Sequence, residues 1–260
     1  MPVSLASPAA AIRSERPVSV TPPVEPRHAW YLPCKAVLEF AAGLVLLLLL
    51  APVIALAAIA VRLTSSGPAF YSQTRLGRGG RPFRIIKLRT MMHNAESRTG
   101  PVWSQVGDPR VTPIGRVLRA THIDEFPQLI NVLLGQMSLV GPRPERPEFV
   151  RDLEFRLPGY SDRLNVRPGI TGIAQLNLPP DRDLNSVRRK LIHDLYYVRY
   201  CSPWLDFQVL VFTGWDFVRE MVLGSWRLIA PPSVKIVNAR AVNIVGRDSD
   251  LLIDAFDCED

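Results

Sequence analysis

Cysteine is scarce in this chain. Its three cysteines, Cys34, Cys201 and Cys258, are odd in number and far apart. They make no disulfide or metal pattern, which fits a reducing compartment. The four histidines are scattered as well, so zinc has no support. Glycine-rich nucleotide signatures are missing. There is no Gly-x4-Gly-Lys-Ser/Thr, and no Gly-x-Gly-x-x-Gly that opens a helix. Acid is missing from one long stretch: residues 62–92 hold seven bases and no Asp or Glu.

Positive charge and one apolar run are in excess. The net charge is +7. Six acids and one base crowd residues 247–260, so residues 1–246 carry 30 bases against 18 acids, or +12. A basic body implies an anionic partner such as a nucleotide, a lipid head group or a nucleic acid. No DNA- or RNA-binding motif accompanies the charge, which argues against nucleic acid. The chain is long enough for one domain or two.

Residues 1–28 are rich in Pro, Ala, Ser and Val without amphipathic period, and read as a flexible tail. The run that follows comes too late and is too long for a cleavable signal. From Phe40 to Val61 it is apolar for 22 residues, enough to cross a bilayer. Trp30 and Tyr31 stand ahead of it at interfacial depth. The basic segment after it belongs in the cytoplasm. Pro52 sits in mid-run, where it removes a backbone bond and can kink a helix. A simple spanning helix and a kinked helix that returns to the same leaflet both fit. Composition alone favours the first.

Residues 69–76 and 81–89 flank Gly77-Arg78-Gly79-Gly80 and read as a hairpin. Ile114–Ala120 reads as a short basic helix, Glu145–Leu157 as a charged helix, and Ser186–Tyr200 as an amphipathic one. Leu164–Leu176 reads as a loop with a short extended piece. Trp204–Leu223 is apolar and aromatic but interrupted by Asp206, Gln208, Asp216 and Arg219. It suits a helix lying on a membrane, or a buried core helix.

Asp124 and Glu125 stand just ahead of a short apolar segment. Pro127 suits a first helical turn and biases Phe126 away from helical angles. Gln128–Leu134 therefore reads as a short helix stopped at Gly135. The dyad would sit at its positive end, where anions are favoured. Arg119 precedes it, and Arg143 follows in a Gly-Pro-Arg-Pro turn. Two carboxylates between two arginines suit a metal-bound phosphate. A solvated helix start paired with arginines fits equally well.

Several ordered motifs carry a resemblance. They are Gly67-Pro68-x-Phe70-Tyr71-x-Gln73-x-Arg75, Phe83-x-x-x-Lys87-x-Arg89, Arg110-Val-Thr112-x-x-Gly115-x-x-Leu-Arg119, Asp124-Glu125-x-Pro127-Gln128-Leu129-x-Asn131, Ser138-x-Val140-Gly141-Pro142-Arg143-Pro144 and Arg167-Pro168-Gly169-Ile-Thr171-Gly172. From Ala36 to Leu223 the chain resembles the bacterial sugar transferase family, the monotopic phosphoglycosyl transferases. It resembles the short members, having one apolar run. It departs from the common pattern at Ala51, ahead of Pro52, and after Gln175.

The resemblance implies a mostly α fold with a small β-hairpin (α+β). It implies a re-entrant helix-break-helix over residues 29–63, and a catalytic domain with interfacial amphipathic helices over 64–223. Residues 224–260 then form an extension with an acidic tail. The implied reaction moves a sugar-1-phosphate from a UDP-sugar to polyprenyl phosphate at the cytoplasmic face of the inner membrane. Asp124 would be the nucleophile, and Asp124 and Glu125 would hold Mg2+. Lys87 and Arg143 would act with them. Arg75, Arg89, Arg119, Asn131, Pro142, Arg167 and Gln175 would bind substrate. Two rival readings remain: a membrane scaffold for polysaccharide assembly, with the dyad as a helix cap, and a basic nucleic-acid-binding protein held at the membrane.

Overall fold

A computed structural model describes residues 23–95, 107–179, 181 and 183–223, with side chains up to residue 218. The acidic tail, residues 1–22 of the expected flexible segment and part of the loop before the dyad lie outside the described residues.

Helix α1 (Tyr31–Thr64) contains the whole apolar run. Its most apolar window has a mean hydropathy of 3.1, enough to cross a membrane by length and composition. It is one helix through Pro52, so the break expected there is not an interruption of the helix. Most of its surface is exposed, including Val37, Leu38, Leu48, Leu49 and Leu56. One stripe is not. Tyr31, Lys35, Glu39, Gly43, Ile54 and Val61 are buried, and Leu47 and Leu50 pack on the core between them. That spacing is one helical face.

The stripe meets the rest of the chain along its whole length. Lys35 and Glu39 meet a strand and two later helices, described below. At Gly43 the helix passes over Val132, where an added Cβ would stand in ordinary van der Waals contact with its Cγ1, at 3.4 Å. Val61 packs with Leu88 and Leu118.

The hairpin forms as expected. Strands β1 (Phe70–Leu76) and β2 (Pro82–Leu88) pair antiparallel, from Phe70 opposite Leu88 to Leu76 opposite Pro82. Gly79 and Gly80 take the left-handed angles of its turn. Helix α2 (Pro113–Ala120) starts with Pro113 and is capped by Thr112, whose Oγ1 accepts from Gly115 N at 3.0 Å. Helix α3 (Gln128–Leu133) ends before Gly135, at φ 70°.

A second small sheet was not anticipated. Strands β3 (Ser138–Val140) and β4 (Gly169–Thr171) pair in parallel. Their pairing explains two motif glycines. An added Cβ at Gly169 would stand 2.1 Å from Gly141 N, and one at Gly141 would stand 2.5 Å from Arg167 O. Only glycine permits that approach.

Helix α4 (Pro147–Arg156) packs Val150 and Leu153 inward. Helix α5 (Ile173–Asn177) takes up Gln175, which the sequence placed on an extended piece. Helix α6 (Leu184–Tyr200) is the central core helix, with Leu191, Leu195 and Val198 almost fully buried. An Asp183–Ser186 capping box starts it. Helix α7 (Pro203–Leu223) buries Asp206 and Val209 and exposes Trp204, Phe207, Leu210, Val211, Trp215 and Val218. Its exposed aromatic face sets it apart from the buried core helix α6.

Two expectations are corrected. Residues 23–28 are docked rather than loose. Val24 is buried, and its N–H donates to Asp162 Oδ2 at 2.9 Å while its C=O accepts from Asn165 Nδ2. Phe126 is helical, with φ −54° and ψ −37°. The preference of a residue before proline is modest, and a 3-10 turn running directly into α3 overrides it.

Candidate active site

The dyad lies in a 3-10 turn, Ile123–Glu125, that joins α2 to α3. His122 enters it with φ 53°, a left-handed angle that histidine tolerates better than most side chains. This turn sends the two neighbouring carboxylates into different surroundings.

Glu125 is pinned. It accepts from Lys87 Nζ at 2.7 Å and from Arg143 at 2.6 and 3.4 Å. Lys87 reaches it from β2, and Arg143 from the turn after β3. Burial alone would raise the Glu125 carboxyl, but the two cations hold it well below the usual range. Burial likewise pulls the Lys87 ammonium down, and Glu125 offsets part of that effect. Glu125 raises the Arg143 guanidinium above its ordinary value.

Asp124 is left alone. It is 8% exposed, and among the described residues it has no hydrogen bond or ion pair. Burial pushes its carboxyl up to about 6, with the charge of Glu125 adding to the effect. Lys87, Arg119 and Arg143 pull in the other direction. The site thus holds one saturated carboxylate and one buried, unpaired one. Three cations against two acids favour an anionic ligand. Helix α3 has only six residues, so its dipole adds little; the side-chain charges dominate.

The other expected site residues divide. Arg119 is within electrostatic reach of Asp124 and donates Nε to Thr90 Oγ1 at 2.9 Å. Pro142 is in the Arg143 turn, where its C=O accepts from Gly169 N at 2.8 Å. Arg75 supports that turn from outside: it donates to Pro144 O at 3.2 Å and pairs with Glu145 at 3.5 Å. Gln175 shares a narrow crevice with Arg143, Glu145, Asp181 and Lys190. Its Nε2 donates to Ile170 O at 2.8 Å, and its buried Oε1 has no partner among the described residues.

Three residues lie elsewhere. Arg89 ties down the end of α1 by donating to Ser65 O at 2.9 Å and to Ser66 O. Asn131 is fully buried and stitches α3 to β2, accepting from Ile86 N at 3.0 Å and donating to Arg84 O at 2.8 Å. The Arg167 guanidinium lies beside Gly135, at the far end of α3 from the dyad.

Sequence reasoning missed a buried polar cluster under the site. Lys35 pairs with Glu39 at 3.0 Å and with Asp206. The Glu39 carboxylate accepts from Leu139 N at 2.9 Å, Val140 N at 3.3 Å and Ser138 Oγ. It thereby satisfies the free edge of β3, the strand that leads to Arg143. A charged pair at an i,i+4 spacing just ahead of the apolar run was the available signal.

The bacterial sugar transferase family matches residues 30–220. The chain is 44% identical over 181 residues to the UDP-glucose:undecaprenyl-phosphate glucose-1-phosphate transferase of Caulobacter vibrioides, covering 69% of this chain and 67% of that one. It is 41% identical over 187 residues to the UDP-N-acetylgalactosamine-undecaprenyl-phosphate N-acetylgalactosaminephosphotransferase of Aeromonas hydrophila, covering 72% of this chain and 43% of the relative. It is 37% identical over 197 residues to the exopolysaccharide production protein PSS of Rhizobium leguminosarum, covering 74% and 96%. With a family match running from α1 through most of α7, and with Lys87, Arg119 and Arg143 gathered around Asp124 and Glu125, the chain belongs to the bacterial sugar transferase family and is a transferase.

Proposed function

We propose that the chain transfers a sugar-1-phosphate from a UDP-sugar to polyprenyl phosphate through a phosphosugar on Asp124, as a first membrane step of polysaccharide or glycoconjugate assembly. The asymmetry of the dyad carries the proposal. A buried carboxylate without hydrogen bonds keeps its lone pairs available for attack. Its neighbour is saturated and organises the cations instead.

In the first step an Asp124 oxygen attacks the sugar-bearing phosphorus. The bond from that phosphorus to the bridging oxygen breaks, and UMP leaves with the electron pair. In the second step a phosphate oxygen of polyprenyl phosphate attacks the same phosphorus and expels the Asp124 carboxylate. That oxygen is already anionic, so no general base is required. Arg143 and Lys87, fixed by Glu125, face the charge that builds on the phosphoryl oxygens. Arg119 adds positive charge on the Asp124 side.

Mg2+ belongs to this proposal. It binds hard oxygens and is commonly held by one or two carboxylates plus substrate phosphates. Asp124 would hold the ion together with the substrate phosphates, and Glu125 would join it by giving up a bond to Lys87 or Arg143; no cluster of three or more metal-ligating side chains occurs among the described residues. When bound, the ion supplies neutralisation of the diphosphate charge.

The membrane placement is proposed with it. Both ends of α1 dock on the domain that bears the dyad, which supports a helix entering and leaving by one leaflet. The basic stretch after α1 favours the cytoplasmic face of the inner membrane.

The test is UMP release from detergent-solubilised protein given Mg2+, polyprenyl phosphate and a panel of UDP-sugars. The panel includes glucose and N-acetylgalactosamine, the sugars named for the relatives. Release with one donor, lost on chelation and lost in Asp124→Asn, is expected. Release that survives in Asp124→Asn would overturn the nucleophile assignment.

A further inference from the structure

The turn that carries Arg143 has an unusual support. Pro142 and Pro144 flank Arg143 and have no N–H to offer, so the turn must be held by its carbonyls. Each of three successive carbonyls has a donor. Pro142 O accepts from Gly169 N at 2.8 Å. Pro144 O accepts from Arg75 at 3.2 Å. Arg143 O accepts from Arg163 Nη2 at 2.8 Å.

The third donor is the least ordinary. Arg163 is 6% exposed at the side chain and pairs with Asp194 of α6 at 2.6 Å; the Asp194 side chain is 5% exposed. Arg163 Nη1 also donates to Tyr160 Oη at 2.6 Å, and the guanidinium lies 5.1 Å from the Tyr160 ring centre. Buried ion pairs add little net stability, because desolvation offsets most of the attraction. A well-packed apolar group could fill this space at similar stability. What an apolar group could not supply is a rigid donor fork aimed at the Arg143 carbonyl.

We infer that Arg163, fixed by Asp194 and Tyr160, is a positioning residue that sets where the Arg143 guanidinium meets Glu125 and the transferring phosphoryl group. Its hydrogen bonds and ion pair go to Tyr160, Asp194 and the Arg143 carbonyl rather than to the dyad, so it acts through the Arg143 backbone, although it also borders the crevice that holds Gln175. The inference rests on the proposed role of Arg143 in the reaction.

The experiment uses the full chain in lipid and measures kcat and the UDP-sugar KM for Arg163→Lys, Arg143→Lys and the double variant. Lysine keeps the charge toward Asp194 but cannot hold Asp194, Tyr160 and the carbonyl together. Misplacing a catalytic group by a fraction of an ångström to one ångström costs about tenfold to a hundredfold. Arg163→Lys should therefore lower kcat about tenfold or more, with KM changed less than about threefold. The double variant should be no slower than Arg143→Lys, because the support no longer has its target. Losses that multiply, or a rise in KM with kcat intact, would overturn the inference. Tyr160→Phe, which removes one hydroxyl, repeats the cycle if Arg163→Lys does not fold. Should Arg143→Lys be silent, a kcat loss in Arg163→Lys has no Arg143 role to act through and would overturn the inference. If the wild type releases no UMP from any donor, the proposed reaction fails and the inference falls with it. An active wild type with multiplying losses overturns the inference alone.

Discussion

Asp124→Asn should make the protein more stable while removing its activity. The Asp124 carboxyl is raised from the ordinary 3.8 to about 6, chiefly by burial. Each pKa unit is worth about 1.4 kcal/mol, so keeping Asp124 ionised in the fold costs about 3 kcal/mol at pH 7.5. The sign follows from proton binding. Between pH 4 and 6 the folded state holds a proton that the unfolded chain has released. Wild-type stability from this group therefore grows as pH falls through 6, and is complete near pH 4. Asparagine has no charge to desolvate, though burying its amide takes back part of the gain. For a chain of this size the remainder corresponds to a Tm rise of several degrees, at about 2–4 °C per kcal/mol. The assay is thermal unfolding in metal-free detergent buffer at pH 7.5, 6 and 4.5, wild type against variant. The gap should be widest at pH 7.5 and shrink steadily toward pH 4.5. A variant that is less stable at pH 7.5, or a gap independent of pH, would refute the picture of Asp124 as a strained, unpaired carboxylate.

The same group predicts an acid limb in the rate. UMP release should fall below about pH 6, and in Glu125→Gln the limb of the residual activity should move to lower pH, because the neighbouring negative charge is gone and the cations remain. Asp194 is also raised to about 6, but Glu125 is not among its neighbours, so a limb that stays in place in Glu125→Gln would assign it to Asp194. Asn131→Ala should destabilise the fold by about 2–4 kcal/mol by orphaning Ile86 N–H and Arg84 C=O; kcat and KM of the folded fraction should hold, and a selective rise in KM would restore Asn131 as a substrate ligand. With Cys34 and Cys258 replaced, cysteines at Glu25 and Ser66 should label from the same side of a sealed vesicle with an impermeant maleimide, and labelling from opposite sides would establish a spanning helix.

The sequence was most readable where local chemistry decides structure. The glycine turn after Leu76, the Pro113 and Gly135 boundaries and the α6 pattern all act within a few residues. The motifs also brought the right charges to one place: Lys87, Arg119 and Arg143 come from β2, α2 and the turn after β3, and converge on the dyad. What could not be read was the division of labour. Nothing in Asp124-Glu125 says which carboxylate is pinned, because that depends on where Lys87 and Arg143 arrive. Asn131 and Arg89 share motifs with the site, yet they hold α3 and the end of α1, and Arg167 lies beside the far end of α3. A motif records that residues are required together, not whether they meet a substrate or one another. The β3–β4 pairing was hidden because each strand has three residues, too few for a period.

The docked stripe of α1 bears on the proposed membrane placement. Lys35 and Val61 are separated by about 39 Å along a straight helix, at about 1.5 Å per residue. That exceeds the roughly 30 Å of a bilayer's hydrocarbon core. Yet both residues contact the same domain, Lys35 through Val140 and Asp206, and Val61 through Leu88 and Leu118. Were α1 to span, α2 and β2 would be carried through the hydrocarbon with it, and they bear Arg84, Lys87, Arg116 and Arg119 at several kcal/mol each. With α1 in one leaflet, those charges stay at the head-group level, and the exposed aromatic face of α7 meets the same interface. In that proposed placement Asp124 would sit where a soluble nucleotide arrives from water and a lipid phosphate within the membrane plane. In the proposed reaction a covalent phosphosugar would let the two arrive in turn, so the site would never have to hold the diphosphate donor and the lipid phosphate together.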